Sequence, residues 1–125
     1  MLDLKANPFF LDDKKEKWVY DTLAGMSTEE KIGQMFCPVG GNTEEGFLKE
    51  FLEEYKPGAI MYRPMPAAEI QKTHRFLQEH SRIPMLFGAN LESGGNGICS
   101  DGTYFARPMG AAATDDPVQA YRLGA

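Results

Sequence analysis

Cysteine is scarce in this chain, with only Cys37 and Cys99 among 125 residues. Two cysteines are too few for a disulfide framework, and neither belongs to a CxxC or Cys/His pattern with metal-ligand spacing. The sequence therefore argues against a small domain held together by disulfides or zinc. We predict that both cysteines are free thiols, with Cys37 buried in a strand and Cys99 in a glycine-rich loop.

Long apolar runs and an excess of positive charge are also missing. Residues 1–17 are interrupted by charged side chains, and no later segment is apolar for long enough to span a bilayer. The 13 Lys and Arg residues are outnumbered by 18 Asp and Glu, which gives a net charge of −5. Such a chain is a poor partner for nucleic acid and for anionic membranes. We predict a cytoplasmic protein that binds neither, whose acidity serves solubility.

Nucleotide-binding loops and histidine-based sites are absent from the pattern as well. The glycine cluster at residues 94–97 lacks the spacing of a dinucleotide fingerprint, and a Gly-Lys-Ser/Thr P-loop does not occur. His74 and His80 have no carboxylate or cysteine at metal-ligand spacing. We interpret them as structural residues of one helix, with His74 on its apolar side and His80 near its end, where a cation suits the helix dipole.

What the sequence does contain is an alternation of helical and strand patterns. Ser27 and Glu30 form a capping box, so a short helix should begin at Thr28. Thr43 is the predicted N-cap of a helix that ends at the Pro57-Gly58 break. The predicted helices are residues 12–23, the short segment from Thr28, residues 43–55, residues 67–80 and a helix from Pro117; the predicted strands are 35–39, 59–62 and 84–89, and residues 90–113 are irregular.

Strands that alternate with helices through short connections predict an α/β fold with a parallel sheet. A closed (β/α)8 barrel of the TIM type usually needs roughly 200 residues or more. We therefore expect residues 1–125 to be the N-terminal part of a TIM-type barrel domain, covering about its first three βα units. The alternative, a small three-strand α/β domain complete in itself, would leave the edge of a parallel sheet uncovered.

The candidate site follows the strand predicted at residues 84–89. This apolar run leads directly into a glycine-rich polar loop that carries Asn90, Glu92 and Ser93. In parallel α/β folds, loops at strand ends bind ligands, because the strand fixes them in place. We predict substrate-binding roles for Asn90 and Glu92. The alternatives are that Asn90 caps the strand and that Glu92 makes a buried hydrogen bond that holds the loop.

Several ordered motifs resemble the N-terminal domain of glycoside hydrolase family 3. They are MSTEEKIGQMF at residues 26–36, KPGAI at 56–60, IPMLF at 83–87, the Gly102-Thr103 step, and MGAAATD at 109–115, which fits the family's alanine-rich A-A-T-x-D segment. The resemblance extends over nearly the whole chain from about residue 12. The strands at 56–60 and 83–87 are most similar to the β-N-acetylhexosaminidase branch of the family.

The resemblance implies a TIM-type barrel that hydrolyses β-linked sugars with retention, through a covalent glycosyl-aspartate. The family's catalytic carboxylates lie on later barrel strands, so no catalytic residue is expected here and the 125-residue chain alone should be inactive. No metal or organic cofactor is implied, and the expected partners are a carbohydrate substrate and the remainder of the barrel.

One functional position of the family falls within the chain. The sugar-gripping aspartate of its Asp-x-Glu-Gly-Gly motif corresponds to Asn90, and Ser93 separates Glu92 from the two glycines that follow. An amide can donate as well as accept, but it lacks the charge-assisted bond of a carboxylate. The change leaves open a different sugar preference, or a carbohydrate-binding pseudoenzyme on the same barrel. The third reading is a stand-alone α/β module with no glycosidase role.

Overall fold

The computed structural model describes residues 2–125. Met1, the first residue of the predicted domain, lies outside the described residues. The helices are α1 (Asp13–Ala24), α2 (Thr28–Gly33), α3 (Glu45–Tyr55), α4 (Ala67–His80), α5 (Pro108–Ala112) and α6 (Pro117–Gly124); the strands are β1 (Val39–Gly40), β2 (Ala59–Tyr62) and β3 (Leu86–Gly88), and a 3-10 turn spans Gly95–Gly97. The chain divides into two compact units, one ending at Ile32 and the other comprising Gly33–Ala125.

The first unit contains α1 and most of α2, and local capping defines both helices. The Asp12 side chain accepts a hydrogen bond from the backbone N–H of Lys15 at 2.8 Å, which satisfies a free donor at the start of α1. At α2, the Ser27 N–H donates to Glu30 at 2.8 Å and the Glu30 N–H donates to the Ser27 hydroxyl at 3.2 Å. The capping box predicted from the sequence is confirmed.

The second unit contains a three-stranded parallel sheet in the order β1-β2-β3. The α/β class and the parallel sheet predicted from the sequence are confirmed, and β2 has the predicted bounds. In register, Val39 lies beside Met61, and Ile60 lies beside Phe87. Because neighbours in register share a face, Ile60 and Phe87 point to one side of the sheet while Val39 and Met61 point to the other.

The predicted strand 84–89 is too long, and the predicted strand 35–39 begins too early and ends one residue short of Gly40. Phe36 and Pro38 accept backbone hydrogen bonds from β2, but Pro38 has no N–H to return, so the regular ladder begins at Val39. Before the third strand, the Gln78 amide donates to the Met85 carbonyl and accepts from the Met85 N–H, at 2.9 Å each. Because both backbone groups of Met85 are bonded to a side chain, β3 begins only at Leu86. The prediction that Cys37 is buried in a strand is wrong, since it is exposed and precedes β1.

The core lies between the sheet and helices α3 and α4. Alternate residues of β2, Ile60 and Tyr62, are each 2% exposed and face this core. They pack with Leu48 of α3, Ile70 and Leu77 of α4, and Met85. This layer fixes the position at which each strand ends, and with it the loops that follow.

The N-terminus of α3 is capped differently from the sequence prediction, and that of α4 is capped by a residue distant in the sequence. Glu44, rather than Thr43, caps α3 by accepting hydrogen bonds from the N–H groups of Gly46 and Phe47, at 3.0 and 2.8 Å. The Thr43 hydroxyl donates to Glu69 instead, at 2.9 Å. The first N–H of α4, at Ala67, donates to the Asp101 carboxylate at 2.9 Å, a partner 34 residues away. Local pattern could not reveal this long-range cap.

Residues 90–113 are more ordered than predicted, because they contain the 3-10 turn and α5. Pro108 begins α5, since a residue without an N–H is well suited to the first turn of a helix. A parallel bridge between Met65 and Cys99 ties the turn region to the loop that follows β2. No helix within residues 2–125 is both long and apolar enough to cross a bilayer.

Candidate functional site

A cleft of about 360 Å³ opens at the carboxyl ends of the parallel strands. We call it the strand-end cleft. Its lining residues come from β1 and β2, from the loops after β2 and β3, and from the start of α5: Val39, Met61, Tyr62, Arg63, Pro64, Asn90, Glu92, Ser93, Asn96, Gly97 and Arg107. This edge is where parallel α/β folds carry their ligand sites.

The two predicted site residues lie together in this cleft. Asn90 is two residues beyond the end of β3, and both Asn90 and Glu92 are exposed. Neither side chain has a hydrogen bond or ion pair to another residue of the described chain. The alternative in which Glu92 makes a buried hydrogen bond is therefore wrong for residues 2–125, and the Asn90 side chain does not cap β3. Both groups are free to contact a ligand.

Glycine positions the loop that carries Asn90. An ideal Cβ built at Gly97 would lie 1.5 Å from the Asn90 carbonyl oxygen, so only glycine allows this approach. Gly94 has φ +89°, a left-handed conformation that a side chain disfavours. The Phe105 N–H donates to the Ser93 carbonyl at 2.7 Å, which anchors the loop from its other side. The glycines therefore determine the conformation of the loop that carries Asn90.

Asn96 is a lining residue that the sequence analysis did not single out. Its Oδ1 atom is buried and has no hydrogen-bond partner among residues 2–125. A buried carbonyl oxygen without a partner is costly, and such a group normally finds a donor. Asn96 lines the strand-end cleft, but its buried Oδ1 atom is closed to a ligand in this conformation. The signal in the sequence was weak, because Asn96 reads as an ordinary turn residue between two glycines.

Two arginines of the strand-end cleft were also missed. Arg63 directly follows the last residue of β2, and Arg107 directly precedes α5. The position of Arg63 was readable, since the strand at 59–62 was predicted with the right bounds. Arg107 could not be found in this way, because α5 was not predicted. The cleft thus carries two guanidinium groups and the Glu92 carboxylate.

Both histidines pack against aromatic rings. The His74 ring stacks on Phe87 with centroids 3.9 Å apart and also contacts Tyr62. Burial among these rings lowers the pKa of His74 from its ordinary value of 6.5, which favours the neutral form. His80 stacks on Phe76 in the last turn of α4. Within residues 2–125, no group of three or more His, Cys, Asp or Glu side chains is arranged to hold a metal ion.

The fold and the strand-end cleft define a class: α/β proteins that hold a polar ligand at the carboxyl edge of a parallel sheet. Amides, a hydroxyl, a carboxylate and guanidiniums line this cleft. Such groups suit a ligand rich in hydroxyl or oxyanion groups.

Comparison with known proteins narrows this class. No protein-family model matches the chain. A curated protein from Cellulomonas fimi, "Beta-N-acetylglucosaminidase/beta-glucosidase", is 38% identical over 114 residues, which are 91% of this chain and 20% of that protein. The structure of "Beta-glucoside phosphorylase BglX bound to 2FGlc" is 40% identical with a TM-score of 0.83, over 97% of this chain and 22% of that one. A second structure, "Beta-glucoside phosphorylase BglX", gives 40% identity and a TM-score of 0.80.

These matches confirm the resemblance of the chain to the N-terminal part of a family 3 glycoside hydrolase. The chain spans about a fifth of the length of the proteins that it matches, at 20% of the curated relative and 21–22% of the solved chains. The comparisons therefore support a proposal for the activity of the full-length protein and do not establish that activity.

Proposed function

We propose that the full-length protein carrying this sequence is a retaining β-glycosidase of the β-N-acetylhexosaminidase type, with its catalytic carboxylates beyond residue 125. The observation that carries the proposal is the strand-end cleft, in which Asn90 lies two residues after β3. The Cellulomonas fimi relative, at 38% identity, is named for hydrolysis of both β-N-acetylglucosaminides and β-glucosides, which supports the reaction and includes the proposed sugar.

The exposed side of the sheet supports a larger barrel. Val39 and Leu86 are 52% and 74% exposed, and the pairing register puts them on the side of the sheet away from the helices. In a TIM barrel, this side of each strand faces inward and is filled by side chains of the other strands. We propose that residues 1–125 form the N-terminal part of such a barrel and that the rest of the same barrel covers these two residues.

In this account the residues of the chain bind and orient the sugar. The Asn90 amide donates to one sugar hydroxyl and accepts from another, which an aspartate in its place could not do. Glu92, exposed at the cleft, is a further acceptor. Held in this way, the anomeric carbon meets a nucleophile and an acid, which a retaining mechanism takes from two carboxyl groups about 5–5.5 Å apart.

A second candidate is transfer of the sugar to phosphate. It is favoured by the names of the two solved structures, each a beta-glucoside phosphorylase at 40% identity to this chain. The first step is common to both reactions, since a glycosyl-enzyme intermediate is attacked either by water or by phosphate. The products differ, as hydrolysis releases a free sugar and phosphorolysis releases a glycosyl phosphate.

The proposal is tested with the full-length protein on chromogenic β-N-acetylglucosaminide and β-glucoside, with and without inorganic phosphate. Turnover of the first substrate to a free sugar supports the proposal, and turnover that needs phosphate supports the second candidate. A protein that binds these sugars without cleaving them is the pseudoenzyme. A protein that neither binds nor cleaves them is an α/β module with another role, and the proposal fails.

A further inference from the structure

Two arginine side chains line the strand-end cleft, and they have no counterion within residues 2–125. Arg63 extends from the end of β2 and Arg107 from the residue before α5, so two separate elements deliver them to one cleft. Neither guanidinium has a hydrogen bond or ion pair to any other described residue. The ion pairs Lys5–Asp13 and Lys72–Glu45, at 2.6 and 2.9 Å, show that cations elsewhere on the chain do pair with its carboxylates.

The charge of the cleft contrasts with that of the chain. The whole sequence has a net charge of −5, yet the charged side chains that line the cleft are two guanidiniums and the Glu92 carboxylate. Asn90, the neighbouring lining residue, is a neutral amide that can donate hydrogen bonds. The cleft is thus locally positive, and the Asn90 amide in its lining does not repel an anion.

Guanidinium groups have a specific ligand chemistry. Their planar N–H groups match the oxygens of a phosphate or carboxylate, and each can donate two parallel hydrogen bonds to such a group. The hydroxyls of a neutral sugar can accept hydrogen bonds from a guanidinium, but they bring no negative charge to match it. Two unpaired guanidiniums beside a sugar-binding amide therefore indicate a ligand that brings an oxyanion into the cleft together with the sugar.

We propose that Arg63 and Arg107 form an oxyanion-binding subsite of the strand-end cleft, which takes a phosphate or carboxylate group. This inference rests on the proposed function, because the sugar site is what the oxyanion would accompany. The oxyanion comes either from free phosphate that acts as a co-substrate or from an acidic group on the sugar itself. A planar carboxylate and a tetrahedral phosphate each present two oxygens that a guanidinium can bind in parallel.

The test measures binding of inorganic phosphate and of glucuronate to the full-length protein by calorimetry. Arg63→Gln and Arg107→Gln remove one charge each, and Arg63→Lys and Arg107→Lys keep the charge without the planar fork. Arg75→Gln is the matched control, because Arg75 is exposed on α4 and lines a different surface hollow. Melting temperatures of all variants establish that each is folded.

We expect each glutamine variant to weaken binding of the preferred anion about tenfold or more, since each removes charge-assisted hydrogen bonds. The lysine variants should recover part of the affinity, and Arg75→Gln should bind like the unchanged protein. Binding should also weaken with added sodium chloride. Preference for phosphate with a glycosyl phosphate product identifies the co-substrate, whereas preference for glucuronate identifies an acidic sugar.

The inference is overturned if the unchanged protein binds neither anion, or if the glutamine variants bind as tightly as Arg75→Gln. Failure of the proposed function is seen separately, in the cleavage of a neutral β-glucoside or β-N-acetylglucosaminide without phosphate. A protein that cleaves those substrates but binds no anion retains its glycosidase role and lacks the subsite. A protein that binds the anion through Arg63 and Arg107 but cleaves nothing retains the subsite alone.

Discussion

Gly97 and Asn90 are in direct backbone contact in the strand-end cleft. An ideal Cβ at Gly97 would lie 1.5 Å from the Asn90 carbonyl oxygen and 2.7 Å from its carbonyl carbon. Because real Cβ atoms do not approach backbone atoms this closely, a side chain at Gly97 must displace the segment that carries Asn90. The glycine therefore determines where the amide of Asn90 is presented to a ligand.

Gly97→Ala should impair sugar binding in the full-length protein without touching a sugar-contacting side chain. A shift of about 1 Å at a positioning residue can cost on the order of a hundredfold in activity, so we expect kcat/KM to fall by roughly tenfold to a hundredfold. Gly95→Ala is the matched control, since an added Cβ at Gly95 meets nothing within 4 Å. Equal activity of the two variants would contradict the role of Gly97.

Gln78 should stabilise the start of β3. Its amide donates to the Met85 carbonyl and accepts from the Met85 N–H, both at 2.9 Å, and Met85 is 3% exposed. Gln78→Ala leaves two backbone groups of a buried residue without partners, at a cost of about 1–3 kcal/mol. The melting temperature of the full-length variant should fall, while that of Gln71→Ala, an exposed residue of the same helix, should not. Identical melting curves would rule out this contribution.

The sequence predicted those features that local pattern encodes. Helix α4 has its predicted bounds, because the apolar positions around Ile70 and Leu77 repeat with helical spacing, and β2 is likewise correct. Strand ends were wrong where side-chain hydrogen bonds decide them, since the Gln78 amide bonds to both backbone groups of Met85. The cap of α4 by Asp101 depends on a contact over 34 residues and was equally out of reach.

In the candidate site, too, only the residues marked by local pattern could be predicted from the sequence. The strand-end cleft brings Asn90 and Glu92 together, and both were readable because they follow a recognisable apolar strand. Asn96 and Arg107 join them only through the fold of residues 90–113, which contains no strong periodic pattern. Whether Asn90 and Glu92 contact a substrate stays a prediction, as does the cytoplasmic location.

Stability should depend on pH through His74. Burial lowers its pKa in the folded protein below the ordinary value of 6.5, so the unfolded chain binds a proton more readily. The contribution of neutral His74 to folding stability is therefore fully present above about pH 6.5. It is lost as the pH falls through the lower pKa of His74 in the folded state. We expect His74→Phe to reduce the fall in melting temperature between pH 7 and pH 5. His80 is present in both the unchanged protein and the His74→Phe variant, so it cannot account for a difference between them. If the melting temperature falls equally in both, the pH dependence does not come from His74.

The chain of residues 1–125 should show no glycosidase activity by itself. The nucleophile and the acid of a retaining mechanism are both expected beyond residue 125, and binding residues alone cannot form a glycosyl-enzyme. The purified fragment should give no turnover of chromogenic β-glycosides above buffer, whereas the full-length protein should. Turnover that persists through repeated purification of the fragment would show that a catalytic group lies within it.

The most direct test of the whole account is the steady-state kinetics of Asn90→Ala in the full-length protein. Loss of the amide removes a donor and an acceptor from sugar hydroxyls, so kcat/KM should fall roughly tenfold to a hundredfold or slightly more, equivalent to about 1–3 kcal/mol. The melting temperature should be unchanged, since the side chain is exposed and makes no hydrogen bond within residues 2–125. Asn90→Asp should retain activity or shift it among sugars. If Asn90→Ala instead leaves the kinetics intact and lowers only the melting temperature, Asn90 is a structural residue and the strand-end cleft is not the sugar site.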